Sequence, residues 1–437
     1  MFNTKKMFTI VMSILMAMSL FTGCGSKETV SNGDSQNTDG KVNEQQGDSK
    51  KQVKLSIWWA SQDEFKQPLL DAIAEYEAEH PNVKIEPEWL ANFDYYDNYK
   101  VALAGKTAPD IVKIDHVFVQ TLGYNDQILE LSEFGANDIK DKFVESAWKA
   151  NMYQDNVYAL PFDANTLALM YNEDLLAKAG KEVPTTYEEL KDVALAINDL
   201  GEEGVYGYTV PVNPKGSGFL SFQFSSWVAR NGGSILNDDW SASTLDSKEA
   251  VNALQQVDDL LSCGAIPPNV YLENEFYEGK IGLLEMGCWN INRLNADETA
   301  SLNVAPLVSL KDGVTGYAPL GLYSLAITKA TKHQQEAYDF CKFLATNKDL
   351  QLSYAKQTHL MPSLKDSLED EMFNTPEWKV FVEQFKNTVS RPGSPAWPSI
   401  DKHLSNAIQK VLTGVAEPEE ALKEAKKLCD EEIKNIK

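Results

Sequence analysis

Residues 53–114 restrict the fold more than any other part of the chain. Leu55, Ile57, Trp58 and Trp59 make an apolar run of strand length. Ser61 and Glu64 stand at capping-box spacing ahead of Phe65, Leu69, Leu70, Ile73 and Tyr76, which recur at the helical period. His80-Pro81 ends that helix, because the residue before a proline resists helical geometry. Residues 83–89 alternate as a second strand, 94–105 read as a helix and 110–114 as a third strand. Strand, helix, strand, helix, strand predicts a parallel α/β layer. Ligands of such layers bind at the carboxyl ends of the strands. Trp58, Trp59, Asp115 and His116 fall at or near that rim.

The rest of the chain continues the mixture. Residues 163–171 read as strand, 186–200 as helix, 216–223 as a Gly/Ser/aromatic loop and 247–264 as helix. A short strand is expected over 281–286, and another over 324–327 leading into a helix over 334–346; the C-terminus is largely helical. No repeat of 20–50 residues is visible. With 437 residues the chain is too long for one ordinary core, which implies two or three domains or one bilobal body with a tail. Its 43% hydrophobic and 24% charged residues suit a soluble globular protein. Acidic residues outnumber basic ones 64 to 40, a net charge of −24. That charge repels phosphate backbones and anionic lipid surfaces, so nucleic acid is excluded as a partner; it also serves simply to keep the protein soluble.

The N-terminus reads differently. Lys5 and Lys6 precede an apolar run over 7–21, followed by Thr22, Gly23 and Cys24, the layout of a secretory signal. The run is shorter than the roughly 20 residues that a membrane span needs. Cys24 after small residues resembles a bacterial lipoprotein signal, in which the thiol is lipidated and becomes the mature N-terminus. That pattern has Leu three places before the cysteine; here Phe21 holds the position and Leu20 is one further back. A plain signal with an incidental cysteine is the alternative. Residues 25–52 hold only Val30 and Val42 as apolar residues, too few to offset ordering entropy, so 24–52 is expected to be a lipidated cysteine and its tether. Cys263, Cys288, Cys341 and Cys429 form no C-x-x-C pair and no zinc spacing with the five scattered histidines. Neither a metal nor a cofactor is expected, and one disulfide or four buried thiols are both open.

Several runs, taken in order, carry a family resemblance. Tyr76-Glu77-Ala78-Glu79-His80-Pro81-Asn82-Val83 leads from a helix into a strand, and Ala104-Gly105-Lys106-Thr107-Ala108-Pro109-Asp110-Ile111 follows. Tyr158-Ala159-Leu160-Pro161-Phe162 precedes Leu169-Met170-Tyr171-Asn172; Pro184-Thr185-Thr186-Tyr187-Glu188-Glu189-Leu190 comes next. Phe276-Tyr277-Glu278-Gly279-Lys280-Ile281-Gly282, with Gly287 and Trp289, and Ala337-Tyr338-Asp339-Phe340 complete the series. Each run is weak alone. Together they cover nearly all of residues 53–436 and resemble the family 1 extracellular solute-binding proteins, the group that contains maltose-binding protein and many sugar-importer lipoproteins. The resemblance implies a two-lobed, type II periplasmic-binding-protein-like α/β fold with a ligand cleft between lobes joined by three crossing segments, near 163–166, 320–325 and 359–362. It implies one lobe from 53–163 plus 323–361 and the other from 164–322 plus 362–437, after a signal over 1–23. Binding would then proceed by hinge closure.

Sugars present hydroxyls and apolar C–H faces, so a site for them needs carboxylates, amides and aromatic rings. Neighbouring strand residues face opposite sides, so one of Trp58 and Trp59 packs in the core, and Trp58 is the candidate for the rim. Asp115 ends a strand where the family places a polar contact; it would otherwise cap the helix near His116. Asp163 and Asn165 lie at the first crossing, as ligand contacts or as turn-forming residues. Trp227, before Asn231-Gly232-Gly233, resembles a second-lobe helix end and suits core or stacking platform equally. Glu285 and Trp289 straddle a strand-to-turn step at which the family stacks a tryptophan on the ligand. Tyr317 and Gly321 resemble the G-x-x-P-x-G-G crossing, with Leu322 in place of the last glycine. Arg391 and Trp397 occupy a proline-stiffened loop that resembles the family's late ligand loop or acts as a packing clamp.

The expected function is thus an extracytoplasmic, lipid-anchored binding protein of an ABC importer, monomeric, on the outer face of the bacterial cytoplasmic membrane. Its partners would be a carbohydrate and the permease subunits, with no catalysis. A secreted glycan-active enzyme is the rival, since Asp115, Asp163 and Glu285 supply carboxylates of the type that glycoside hydrolysis needs. No G-x-S-x-G, H-E-x-x-H, P-loop or complete G-x-G-x-x-G motif is present. A sensor or adhesin lipoprotein on the same body is the third reading.

Overall fold

The computed structural model describes residues 52–436 apart from 61–64, 91–94, 210–216, 268–271, 295, 297–299 and 315–316. The signal segment, Cys24, the tether up to residue 51 and the capping box at Ser61 and Glu64 lie outside the described residues. In chain order the strands are β1 (Val53–Ala60), β2 (Val83–Leu90), β3 (Ile111–Asp115), β4 (Met152–Tyr153), β5 (Asn156–Val157), β6 (Ala159–Asn165), β7 (Leu167–Asn172), β8 (Tyr206–Thr209), β9 (Ile281–Gly287), β10 (Leu302–Ala305), β11 (Ala318–Ile327), β12 (Met361–Pro362) and β13 (Thr388–Ser390). A seven-stranded sheet runs β12-β6-β11-β3-β1-β2, with β13 joined to β11; β10-β7-β9-β8 form a separate four-stranded sheet, and β4 pairs with β5.

The parallel layer expected near the start is present. β1 pairs in parallel with both β2 and β3, and helices Gln67–Glu79 and Tyr95–Gly105 make the connections. Leu69, Ala72, Ile73 and Tyr76 form the buried stripe of the first helix, with Pro68 tolerated in its first turn. Helix Tyr187–Asn198 starts on a reciprocal capping box between Thr186 and Glu189. β6 and β9 bury every residue, as strands covered on both faces must. One core gathers Ile57, Trp59, Phe162 and Phe340 against the seven-stranded sheet. Another gathers Leu220, Phe224, Trp227, Leu254, Trp397 and Ile408 against the four-stranded one.

One expectation is corrected. Residues 217–223, expected as part of a loop, instead begin the helix Ser217–Arg230. Leu220, Phe224, Trp227 and Val228 stand at i, i+4, i+7 and i+8, and all four are buried in the second core. That stripe outweighs the loop-like Gly/Ser composition of the first turn.

The passage from one sheet to the other is short. β6 ends at Asn165 in the larger sheet and β7 begins at Leu167 in the smaller, with Thr166 alone between them. Thr166 Oγ1 donates to the Pro319 carbonyl at 2.8 Å, tying this step to the neighbouring strand. β11 pairs with β13 over Ala318–Leu320 and then with β6 and β3 from Gly321 onward. β12 pairs Met361 with Ala164 and Pro362 with Asp163. The three expected crossings therefore lie side by side, and Pro362, Asp163, Tyr323 and Asp115 form one row across the sheet. The cysteines Cys263, Cys288, Cys341 and Cys429 are all free thiols, and burial pushes that of Cys288 up to about 12.

Candidate ligand-binding site

Aromatic rings flank the row of crossing strands on both sides. Trp59 is fully buried, whereas Trp58, its neighbour, is half-buried and faces the other way. Nε1 of Trp58 donates to Glu88 Oε2 at 2.8 Å, directly across the β1–β2 pair, which fixes the indole plane. Its ring meets Tyr99 edge-on, with Tyr323 and Phe118 in the same cluster. Phe118 stacks on Tyr96 at 3.6 Å and 9°.

On the far side of the crossing, Trp289 is half-buried against Leu167, Phe222 and Ala318, residues immediately past the step between sheets. Phe219 meets its ring edge-on at 6.4 Å. A Cβ on Gly287 would fall 2.0 Å from the Trp289 ring, so only glycine there lets the indole fold back over the strand end. Gly321 plays the same part for Asn165: an added Cβ would fall 2.0 Å from the amide oxygen. Asn165 is 9% exposed. Tyr317 is 45% exposed, and its carbonyl accepts from Ser226 Oγ at 2.7 Å.

Two sequence candidates pair with one another. Arg391 places its guanidinium 3.0 Å from Asp115 Oδ2 and over the Phe222 ring. Asp115 also accepts from the Val117 amide, capping the turn His116–Phe118, which is the alternative reading of this residue. Burial works to raise its pKa, but Arg391, His116 and the Val117 N–H outweigh that and hold the carboxyl well below the usual carboxylate range. His116 Nδ1 lies 3.2 Å from the Leu322 carbonyl, and its Nε2 lies 3.2 Å from Ser390 Oγ.

Asp163 is 3% exposed and forms an ion pair with Lys113. Burial tends to lower the Lys113 pKa, yet the Asp163 carboxylate and the Tyr354 hydroxyl keep it above the ordinary lysine value. The same burial raises the Asp163 carboxyl.

Three expected ligand contacts are corrected. Glu285 has no exposed surface: it receives both oxygens' hydrogen bonds from Arg230 at 2.9 and 3.0 Å, with Trp227 Nε1 at 3.0 Å and Gln223 at 3.2 Å. Trp227 is 1% exposed and is held by that bond in the second core. Trp397 begins helix Trp397–Leu412 and is likewise buried in that core. Each is used up by packing, so none presents a face to a ligand in this structure. The sequence reading missed Glu88, Phe118, Phe219 and Lys113. For Lys113 a signal existed, a lone cation between Val112 and Ile114 in a run otherwise fit for a core strand.

Residues 59–351 match the model of the bacterial extracellular solute-binding proteins. The chain belongs to that family. A maltotriose-binding protein of Pyrococcus abyssi is 27% identical over 391 residues, 88% of this chain and 82% of that protein. A galactooligosaccharide-binding protein of Bacillus subtilis is 24% identical over 443 residues, 98% of each chain. Among solved structures, a cyclic alpha-maltosyl-1,6-maltose binding protein from Arthrobacter globiformis superposes with a TM-score of 0.77 at 25% identity, covering 88% of this solute-binding protein and 100% of that chain. The GacH receptor of Streptomyces glaucescens has the same fold, with a TM-score of 0.76 at 23% identity over 88% of this chain and 100% of its own. The two-lobed α/β architecture of periplasmic binding proteins is thereby established for this solute-binding protein, and an extracytoplasmic location follows from the family. No helix among the described residues is long and apolar enough to cross a membrane.

Proposed function

We propose that the chain is the ligand-capturing subunit of an ABC importer, taking a sugar or oligosaccharide between its lobes and passing it unchanged to membrane permeases. The lobes would comprise 53–163 plus 323–361 and 164–322 plus 362–437. Trp58 and Trp289 would supply stacking faces; Asn165, Tyr317 and the Asp115–Arg391 pair would supply polar contacts, with Asp163 beneath them. The observation that carries this reading is the row of hydrogen-bonded crossing strands with a half-buried tryptophan within a few residues on either side. Relatives named for binding maltotriose and galactooligosaccharides support the ligand class. Binding without catalysis is supported by the pairing of the three carboxylates from which a glycosidase reading would draw its two. Each faces a cation: Asp115 with Arg391, Asp163 with Lys113 and Glu285 with Arg230. A protonated acid beside a free carboxylate is the arrangement that glycoside hydrolysis requires.

Thermal-shift screening of the purified protein against maltotriose, galacto-oligosaccharides and cyclic maltodextrins tests the ligand. Saturation at 100 times Kd adds about 2.7 kcal/mol of stability, a clear rise in melting temperature. Trp289→Ala is expected to abolish the rise while the ligand-free protein still melts in one cooperative transition, at a somewhat lower temperature. A panel with no shift, or turnover of any glycan, would defeat the proposal. Anchoring at Cys24 predicts incorporation of labelled palmitate in cells that is lost in Cys24→Ser; equal labelling of both proteins would refute it.

A further inference from the structure

Lys113 is a cation inside a strand whose neighbours Ile111, Val112 and Ile114 have no exposed surface. It is itself 2% exposed. Its ammonium pairs with Asp163 and donates to Tyr354 Oη at 2.9 Å. Four rings surround it, with centroids at 4.6 Å for Tyr354, 4.9 Å for Trp59 and Tyr323, and 5.5 Å for Phe162. Such faces attract a desolvated cation.

Asp163 reaches this cage through a local irregularity. Ser324 pairs with Pro161 and Tyr323 with Asp163, so Phe162 is an extra residue in β6. Without it, strict alternation would turn Asp163 away from the face that Leu160 shares with Lys113 and Trp59. Bulges of this kind re-aim a side chain. The pair is not a good stabiliser. Burying two charges costs as much as their attraction returns, and an apolar pair of similar volume does as well or better. Asp163 Oδ1 is moreover buried with no hydrogen-bond donor among the described residues. What the pair does have is position: Asp163 stands in the row where β12, β6 and β11 meet, two residues before Asn165.

We propose that Lys113 is a positioning residue for the ligand cleft: by holding Asp163 in the ring cage it fixes the strip where the crossing strands lie side by side, and so sets both the presentation of Asn165 and the angle at which the lobes meet. The proposal rests on the cleft reading above and adds to it a residue that touches no ligand.

The test is the double variant Lys113→Met/Asp163→Leu, compared with wild type in ligand-free melting, in tryptophan-fluorescence titration with maltotriose, and in small-angle X-ray scattering without ligand. The expected result is a protein that still melts in one transition close to wild type, with the titration midpoint moved upward at least tenfold. A midpoint within twofold of wild type overturns the proposal. Should the double variant not fold, Lys113→Met/Asp163→Asn is read by the same midpoint criterion, since it removes the pair without stranding either charge. If wild type binds no maltotriose, the sugar reading is in trouble but this one is still decided by the ligand-free scattering. A changed maximum dimension in the variant upholds it, and superimposable curves overturn it.

Discussion

Each of the two sheets buries a carboxylate against a cation, and the two pairs are finished very differently. In the smaller sheet Glu285 accepts from Arg230 at both oxygens and from Trp227 and Gln223 besides, while Arg230 also donates to the Val308 carbonyl at 3.1 Å. In the larger sheet Asp163 has Lys113, four rings around that cation, and one oxygen with no donor among the described residues. The Glu285 carboxylate, with donors on both oxygens, is held in one arrangement, although Arg230 Nε itself has no acceptor among the described residues. The Asp163–Lys113 pair has fewer partners and stands instead where β12, β6 and β11 lie side by side, so its position rather than its stability is what distinguishes it.

The sharpest way to break this comparison is to cut the pair between Glu285 and Arg230. Arg230→Met strands a buried carboxylate and should cost about 3–5 kcal/mol in urea unfolding, with the remaining folded protein binding its ligand as before. Removing both partners, as Arg230→Met/Glu285→Leu, should still cost about 1–3 kcal/mol for each donor left unpaired, at Trp227 and Gln223. The equivalent double change at Lys113 and Asp163 should cost less, since it leaves only the Tyr354 hydroxyl without its partner. Equal losses at the two sites would erase the distinction between them.

A smaller effect is expected at the pair between Asp115 and Arg391. The folded-state pKa of Asp115 is depressed, so its contribution is present above the unfolded value of about 3.9 and is lost as pH falls from there toward the folded value. Asp115→Asn should therefore lower unfolding free energy by about 1.5–3 kcal/mol at pH 7, with the gap to wild type narrowing below about pH 4. A gap that stays constant down to pH 2 would mean that the carboxylate charge contributes nothing.

The architecture was legible in the sequence because it rests on period and punctuation. The β1–β3 layer, the helix expected over 186–200 and the split between Trp58 and Trp59 follow from alternation and helical spacing. The site was less legible, because type alone does not separate a ligand-facing ring or carboxylate from a packed one. Trp227 and Glu285 have the chemistry of a sugar site; their partner Arg230 lies 55 residues from Glu285, and nothing local announces the pairing. The bulge at Phe162 was hidden for a related reason: only the register against β11 reveals which residue is extra.

The single residue Thr166 between β6 and β7 has a mechanical consequence. A ribbon three strands wide and cross-linked by backbone hydrogen bonds resists shear and stretching far more than flexing about its own width. The halves it joins can rock but hardly slide. Under the proposed function a longer guest would then be met by length along the trough, since the strands at its base are bonded to one another.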